Sequence, residues 1–256
     1  MKLFIFLILF TQAPILLIAQ ENVYAIPKSK VPNKKLLEFI NLNKDNNTPS
    51  VSIGTVSNGS LKNGKLVPFS GKNFQYFDTS SYVNGRAFVN NKLKKTLIDT
   101  YRILDSILPE RKFQIMECSN KEGGKISPHR THQNGLSVDF MMPLVKNNKP
   151  CYNLDSLGAN HYWLDFDNNG QYLKDKNISI DFNTLATYIL TLNNCARKNG
   201  LKISKVILKL EFKPYLYSTE SGKIIKNKGL YFATKLTPLI NSLHDDHFHV
   251  DFELVK

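Results

Sequence analysis

The sequence predicts an α+β fold, an antiparallel sheet core flanked by helices. Three observations carry that expectation. Two segments, from about Asn91 to Leu108 and from about Phe182 to Lys198, place apolar residues at steps of three and four, as one buried helix face requires. Other segments alternate apolar and polar side chains at strand spacing. The two kinds are mixed along the chain rather than set in regular βαβ order, which favours an antiparallel sheet.

Taken in order, the chain opens with Lys2 and an almost uninterrupted apolar run from Leu3 to Ala19, with no further charge before Glu21. A positive start and an apolar run read as a secretory signal over residues 1–25, with cleavage after Ala19 or after Ala25. The alternative is a retained N-terminal anchor, because the run approaches the shortest length that spans a bilayer. No cysteine lies near the cleavage region, which argues against a lipoprotein anchor. Ile26 to about Asn47 is polar and lysine-rich around one apolar patch, Leu36-Leu37-Glu38-Phe39-Ile40, which reads as a short docking helix or a loosely held arm. Between Ser50 and Tyr82, the alternation of Val51, Ile53 and Val56 among glycines predicts short hairpin strands. Residues 26–80 therefore form an arm and short strands, as part of or beside a principal domain at 81–256. No internal repeat or low-complexity linker marks a boundary.

In the first helix, Leu93, Leu97, Tyr101, Leu104 and Leu108 share a stripe, and Pro109 ends it. Lys112 to Glu117 reads as a strand with Phe113 and Ile115 on one face. Leu136 to Met142 is the next, with Val138 and Phe140 on one face and Ser137 and Asp139 on the other. The second helix is stepped by Phe182, Leu185, Ile189, Leu192 and Ala196, capped by Asp181 and stopped by Asn199-Gly200. Strands from Ile203 to Leu210 and from His247 to Leu254 complete the chain.

The chain has 256 residues and a formal net charge of +13. Export of so basic a protein suits an acidic partner, such as a cell-wall polymer or an anionic membrane surface. Nucleic acid is the competing partner, but no basic helix or aromatic-basic repeat supports it, and with the lysines spread over the whole length a solvated basic surface is the plainer reading. The three cysteines allow one internal disulfide at most. Cys195 falls on the apolar face of the second helix and should be buried and free, which leaves Cys118 with Cys151 as the expected pair.

Five of the six histidines fall in two short windows, Pro128 to Asp139 and His244 to Val250. Imidazole and carboxylate are the ligands of a catalytic zinc, which takes three protein donors and keeps a position for water. His132, Asp139 and His249 fit that set. Gly135 allows the turn that folds the His132 loop back over the Asp139 strand. His247 and His249 alternate on one strand and leave the same face. Two imidazoles and one carboxylate leave a net positive site able to acidify a bound water.

His129-x-x-His132-x6-Asp139 followed by His244-x-x-His247-x-His249 resembles the penicillin-insensitive murein endopeptidases, within the exported zinc peptidases that cleave D-amino-acid bonds in bacterial cell walls. Gly123-Gly124, Pro128 to Gly135 and Asp246 to Val250 fit the same family, and the likeness extends loosely from about Gly85 to Phe252. The resemblance implies zinc on His132, Asp139 and His249. It implies His247 as catalytic base or transition-state stabiliser, with His129 and His244 lining the site. Asp246, three residues before His249, competes with His247 for the role of base. Arg86 is a candidate for polarising a substrate carbonyl, with a surface salt bridge as the plainer reading. The chain departs from the family at Asp251, where a basic residue is more usual, and this bears on the charge of the substrate subsite.

Two further motifs are weaker. Asp165 to Gly170 copies the first half of a calcium loop, but Lys176 stands where a bidentate glutamate belongs, so an Asp/Asn-rich turn is the plainer reading. Tyr162-Trp163, beside His161, has the chemistry to stack on a sugar, although such a pair more often packs in a core. Together these readings give an exported, periplasmic or secreted zinc peptidase acting on D-alanyl cross-links in peptidoglycan, with no membrane span in the mature chain. The alternatives are a D-Ala-D-Ala carboxypeptidase of the same fold and a wall-binding module that keeps zinc for structure. A closed structural site favours four ligands, usually with cysteines, which argues against the module.

Overall fold

The computed structural model of the chain describes residues 34–255, and the expected signal segment lies outside the described residues. The apolar patch near the start forms α1 (Lys34–Leu42), which docks through buried Leu36 and through Phe39, edge-on to Tyr82 and Phe88. The hairpin strands follow as β1 (Val51–Thr55) and β2 (Asn58–Lys62), then β3 (Lys65–Leu66) and β4 (Phe74–Tyr76). The apolar positions of β1 point outward. Val51 and Ile53 are exposed, whereas Ser52 turns inward and accepts a hydrogen bond from Asn90 Nδ2 at 3.0 Å. The polar partner Asn90 decides the orientation, because an unpaired buried amide costs more than two exposed aliphatic side chains.

Next come α2 (Thr79–Val83), β5 (Phe88–Val89), α3 (Asn91–Ile107), β6 (Phe113–Ile115), β7 (Ser137–Met141), β8 (Leu144–Lys146) and β9 (Lys149–Cys151). A 3₁₀ segment at Asp155–Trp163 leads to β10 (Ile178–Ile180), α4 (Phe182–Lys198) and β11 (Leu201–Ile207). The chain closes with α5 (Lys213–Ser218), α6 (Glu220–Asn227), α7 (Pro238–Ser242) and β12 (His247–Leu254). Both long helices follow their apolar stripes, and Asp181 caps α4 by accepting from Thr184 N at 3.0 Å.

The central sheet has the order β11-β12-β7-β6-β4, antiparallel except for the β4–β6 pair. That pair is parallel because the chain passes through α2 and α3 between its two strands, a crossover of the length a parallel pair demands. A three-stranded sheet, β10-β8-β9, and the pairs β1-β2 and β3-β5 lie outside it. α3 and α4 pack together and cover one face. There Tyr188 of α4 meets Phe113, Phe140 and Phe248 edge-on or tilted at 4.9–5.5 Å, with Phe140 stacked on Phe248. Strand alternation then sends Asp139 and His249 to the opposite face.

The expected Cys118–Cys151 disulfide is absent, and all three cysteines are buried and free. Cys118 follows β6 in the central sheet, whereas Cys151 lies on β9 of the smaller sheet, opposite Leu144. The calcium-like segment is a turn closed by its own side chains. Asp167 Oδ1 accepts from Asn169 N and Gln171 N, and Lys176 Nζ pairs with Asp167 Oδ2 at 2.9 Å. The Lys176 ammonium supplies the positive charge that a calcium ion would bring.

Candidate metal centre and active site

β7 and β12 pair in a register that sets His249 directly opposite Asp139, with Phe248 opposite Phe140 on the other face. The first histidine window approaches the same face as a loop. Gly135 adopts φ +77°, and a Cβ there would meet Leu61 Cδ2 at 2.7 Å and Asn90 N at 2.9 Å, so only glycine fits the turn. His132 itself adopts φ +66°, a left-handed conformation rare for a side-chain-bearing residue and often found where function constrains the backbone. Its neighbour Gln133 holds the loop, donating its N–H to Val56 O at 3.0 Å and accepting from Gly124 N at 2.8 Å. The N-terminal hairpin thus buttresses the histidine loop.

The carboxylate of Asp139 is the meeting point. His249 Nδ1 lies 2.7 Å from its Oδ1, His132 Nε2 lies 3.3 Å from the same oxygen, and His129 Nδ1 lies 3.5 Å from Oδ2. His129, His132 and Asp139 each bring a donor atom within 4.8 Å of the others, so this buried group can hold a metal ion. The structure thereby brings His129, expected only to line the site, into reach of a cation. His249 is tied to the same carboxylate through Nδ1 and to Asp251 Oδ1 through Nε2 at 2.6 Å. Neither nitrogen of His132, nor Oδ2 of Asp139, has a hydrogen-bond partner among the described residues. Buried donors left without partners in this way suit a cation.

The second window surrounds this group. His247 Nδ1 meets Asp246 Oδ1 at 2.5 Å, and its ring lies 4.8 Å from His244. His244 Nδ1 is fixed by the Ile240 carbonyl at 2.7 Å, at the end of α7. Three residues outside the expected set also belong here. Glu117 accepts from both Arg86 and Ser81 and meets His129 Nε2 at 2.6 Å, so Arg86 is committed to Glu117 at 2.9 Å. Tyr162 stands perpendicular to the His247 ring at 5.0 Å, with its hydroxyl buried and without a hydrogen-bond partner among the described residues. His161, the sixth histidine, reaches the Asp246 carbonyl through Nε2 at 3.2 Å. The signal for the last two was the cluster His161-Tyr162-Trp163, of which only Trp163 is exposed to solvent. Glu117 carried no sequence signal beyond its place at the end of a strand.

Burial and charge split the imidazoles. Burial draws His132 down, helped by the neighbouring His249 and His129; burial and neighbouring imidazoles draw His247 to about 4 and His244 to about 3, so these two are neutral at pH 7. Burial also pulls on His249, but Asp251 and Asp139 outweigh it and lift the group to about 10. At His129 the Glu117 hydrogen bond overcomes burial and raises the ring. Asp139 is held well below the usual range, because His132 and His249 outweigh its burial. Burial pushes Asp246 up to about 7.

An α+β sheet that presents imidazole and carboxylate donors from two paired central strands is the frame of a metal-dependent hydrolase. A family model described as penicillin-insensitive murein endopeptidase matches residues 52–254, and the chain belongs to that family. It is therefore a hydrolase whose substrate is peptidoglycan. The match begins within β1, so it takes in the hairpin, which lies ahead of the likeness from about Gly85 to Phe252. No curated protein matches the chain. Among the described residues, no helix is long and apolar enough to cross a membrane.

Proposed function

We propose that the chain is an exported zinc endopeptidase that hydrolyses the D-alanyl peptide cross-link of peptidoglycan. One observation carries the mechanism: a single buried carboxylate, Asp139, meets three imidazoles drawn from two separate windows. His132, Asp139 and His249 would hold the zinc. A zinc ion in such a set supplies Lewis acidity toward the scissile carbonyl and a water acidic enough to attack it near neutral pH.

The remaining chemistry belongs to the side chains. His247 is kept neutral by burial, so its free nitrogen accepts a proton, and Asp246 fixes the ring through Nδ1. Returning that proton to the leaving amine completes hydrolysis. His129 stands beside His132, where it would donate to the developing oxyanion, whereas neutral His244 gives its one N–H to the Ile240 carbonyl and lines the site beside His247. The proximity of His129 to His132 and Asp139 favours a second reading in which His129 is a ligand in place of His249. A carboxypeptidase acting on terminal D-Ala-D-Ala needs a free basic group for the substrate carboxylate, and Arg86 is engaged by Glu117.

The apolar run from Leu3 to Ala19 supports export, and the net charge of +13 suits an anionic wall polymer. Digestion of purified cross-linked muropeptides tests the proposal. Dimers should become monomers with terminal alanines intact, and a chelator should stop the reaction until zinc is returned. Release of free D-alanine without loss of dimers would assign the carboxypeptidase reaction instead.

A further inference from the structure

Behind the His249–Asp139 pair lies a second polar row across the same sheet. Asp251 of β12 is set opposite Ser137 of β7 and opposite Lys205 of β11. An irregularity in register between Ile203 and Lys205 brings Lys205 to that position, the kind of local re-aiming a bulge provides. Asp251 is 1% exposed, so no substrate can reach it. It is therefore no subsite residue, despite standing where the family more often has a basic one. Its Oδ1 accepts from Ser137 Oγ at 2.6 Å and meets His249 Nε2 at 2.6 Å, while its Oδ2 pairs with Lys205 Nζ at 2.9 Å. Thr131 Oγ1 lies 3.5 Å from the same His249 nitrogen, at the limit of a hydrogen bond.

We propose that Asp251, held by Ser137 and Lys205, is a positioning residue for the metal centre: it binds the Nε2–H of His249 and so commits the ring to present Nδ1 to the metal beside Asp139. The inference rests on the reading of His249 as a ligand. Three features support it. Nδ1 already points to Asp139, the carboxylate shared with His132. A carboxylate on the outer nitrogen of a ligating histidine fixes its tautomer and raises its basicity. The ion pair with Lys205 and the hydroxyl of Ser137 fix the carboxylate from the other side, so rotating His249 away would leave Asp251 with a lost contact in a buried place.

The test is zinc affinity, measured by competition with a chromophoric chelator on the full chain, with far-UV circular dichroism as the check on folding. Asp251→Asn should bind zinc about 10- to 100-fold more weakly than the parent, the usual effect of losing such a partner. Lys205→Ala removes the same ion pair but leaves the His249 and Ser137 contacts, and should weaken zinc binding by much less than Asp251→Asn. Nitrogen-15 NMR of the zinc-loaded parent should place the His249 proton on Nε2 and none on Nδ1. Parent-like affinity in Asp251→Asn, with zinc lost in His249→Ala and Asp139→Ala, would overturn the positioning role and leave the metal centre standing. An equal loss in Lys205→Ala would overturn it too, by marking the effect as general destabilisation. Zinc retained in His249→Ala would instead refute the ligand assignment beneath it. If Asp251→Asn does not fold, the tautomer decides: a proton on Nδ1 ends the proposal.

Discussion

Asp246 and His247, rivals for the role of base on sequence grounds, are partners in space, Oδ1 to Nδ1 at 2.5 Å. Burial disfavours charge on both, raising the carboxyl and lowering the imidazole, so the pair is poised to move one proton rather than to hold two charges. His161, on the Asp246 carbonyl, anchors the pair to the 3₁₀ segment.

Ligands and base should therefore separate in variants. His249→Ala and Asp139→Ala are expected to lose both zinc and hydrolysis. His247→Ala should keep its zinc and lose about 10²- to 10⁴-fold in kcat, the range of a general base. Asp246→Asn should fall less, because the ring remains. Elemental analysis beside muropeptide kinetics reads all four. A zinc-free His247→Ala protein would exchange the two roles.

Glu117 should matter more than its unremarkable place in the sequence implies. It binds Arg86, Ser81 and His129 at once from a buried site. Glu117→Gln keeps the shape but removes the charge, at a cost of about 1–3 kcal/mol in stability, judged by urea midpoints. Because His129 then loses the partner that raises its pKa, the acidic side of the kcat profile should move. An unchanged profile with the stability loss alone would reduce Glu117 to a structural group.

Asp155 gives a pH signature away from the metal centre. Burial pushes its carboxyl up to about 7, and the Gln114 amide at 3.3 Å offsets this only in part. Unfolded, an aspartate titrates near ~3.9. Between about pH 4 and 7 the unfolded chain thus binds fewer protons than the folded one, so this group's contribution to stability falls as pH rises, then levels off. Asp155→Asn should match the parent near pH 4 and exceed it at pH 8 in denaturant unfolding. A difference independent of pH would contradict the assignment.

No acyl-enzyme should form with penicillin. Ser137 is buried with its hydroxyl committed to Asp251, and Ser127 precedes a proline with no Ser-x-x-Lys amine at hand. Intact-mass spectrometry after incubation with penicillin should show the unmodified chain. A stoichiometric adduct would replace the zinc–water mechanism with a serine one.

Much of the site was legible because it follows local rules. The alternation in Ser137 to Met141 and in His247 to Phe252 separates a polar face from an apolar one, and that separation brought Asp139 and His249 together once the strands paired. The stripes of α3 and α4 were equally plain. What escaped depends on partners distant in sequence. Ser52 turns inward because of Asn90, Glu117 gains its role from Arg86 and His129, and Asp251 is read correctly only beside Ser137 and Lys205. The parallel β4–β6 pair likewise has no short-range signature. The failed disulfide has the same origin, since cysteine spacing says nothing about which sheet each thiol joins.

The turn at Asp167 carries a practical consequence. A true calcium loop would fill and empty with the free ion, so any chelator added to the protein would act in two places at once. Lys176 is tethered to the chain, and its local concentration beside Asp167 never changes. Stripping divalent ions should then leave this corner of the fold intact, and whatever the chelator changes can be traced to the histidines.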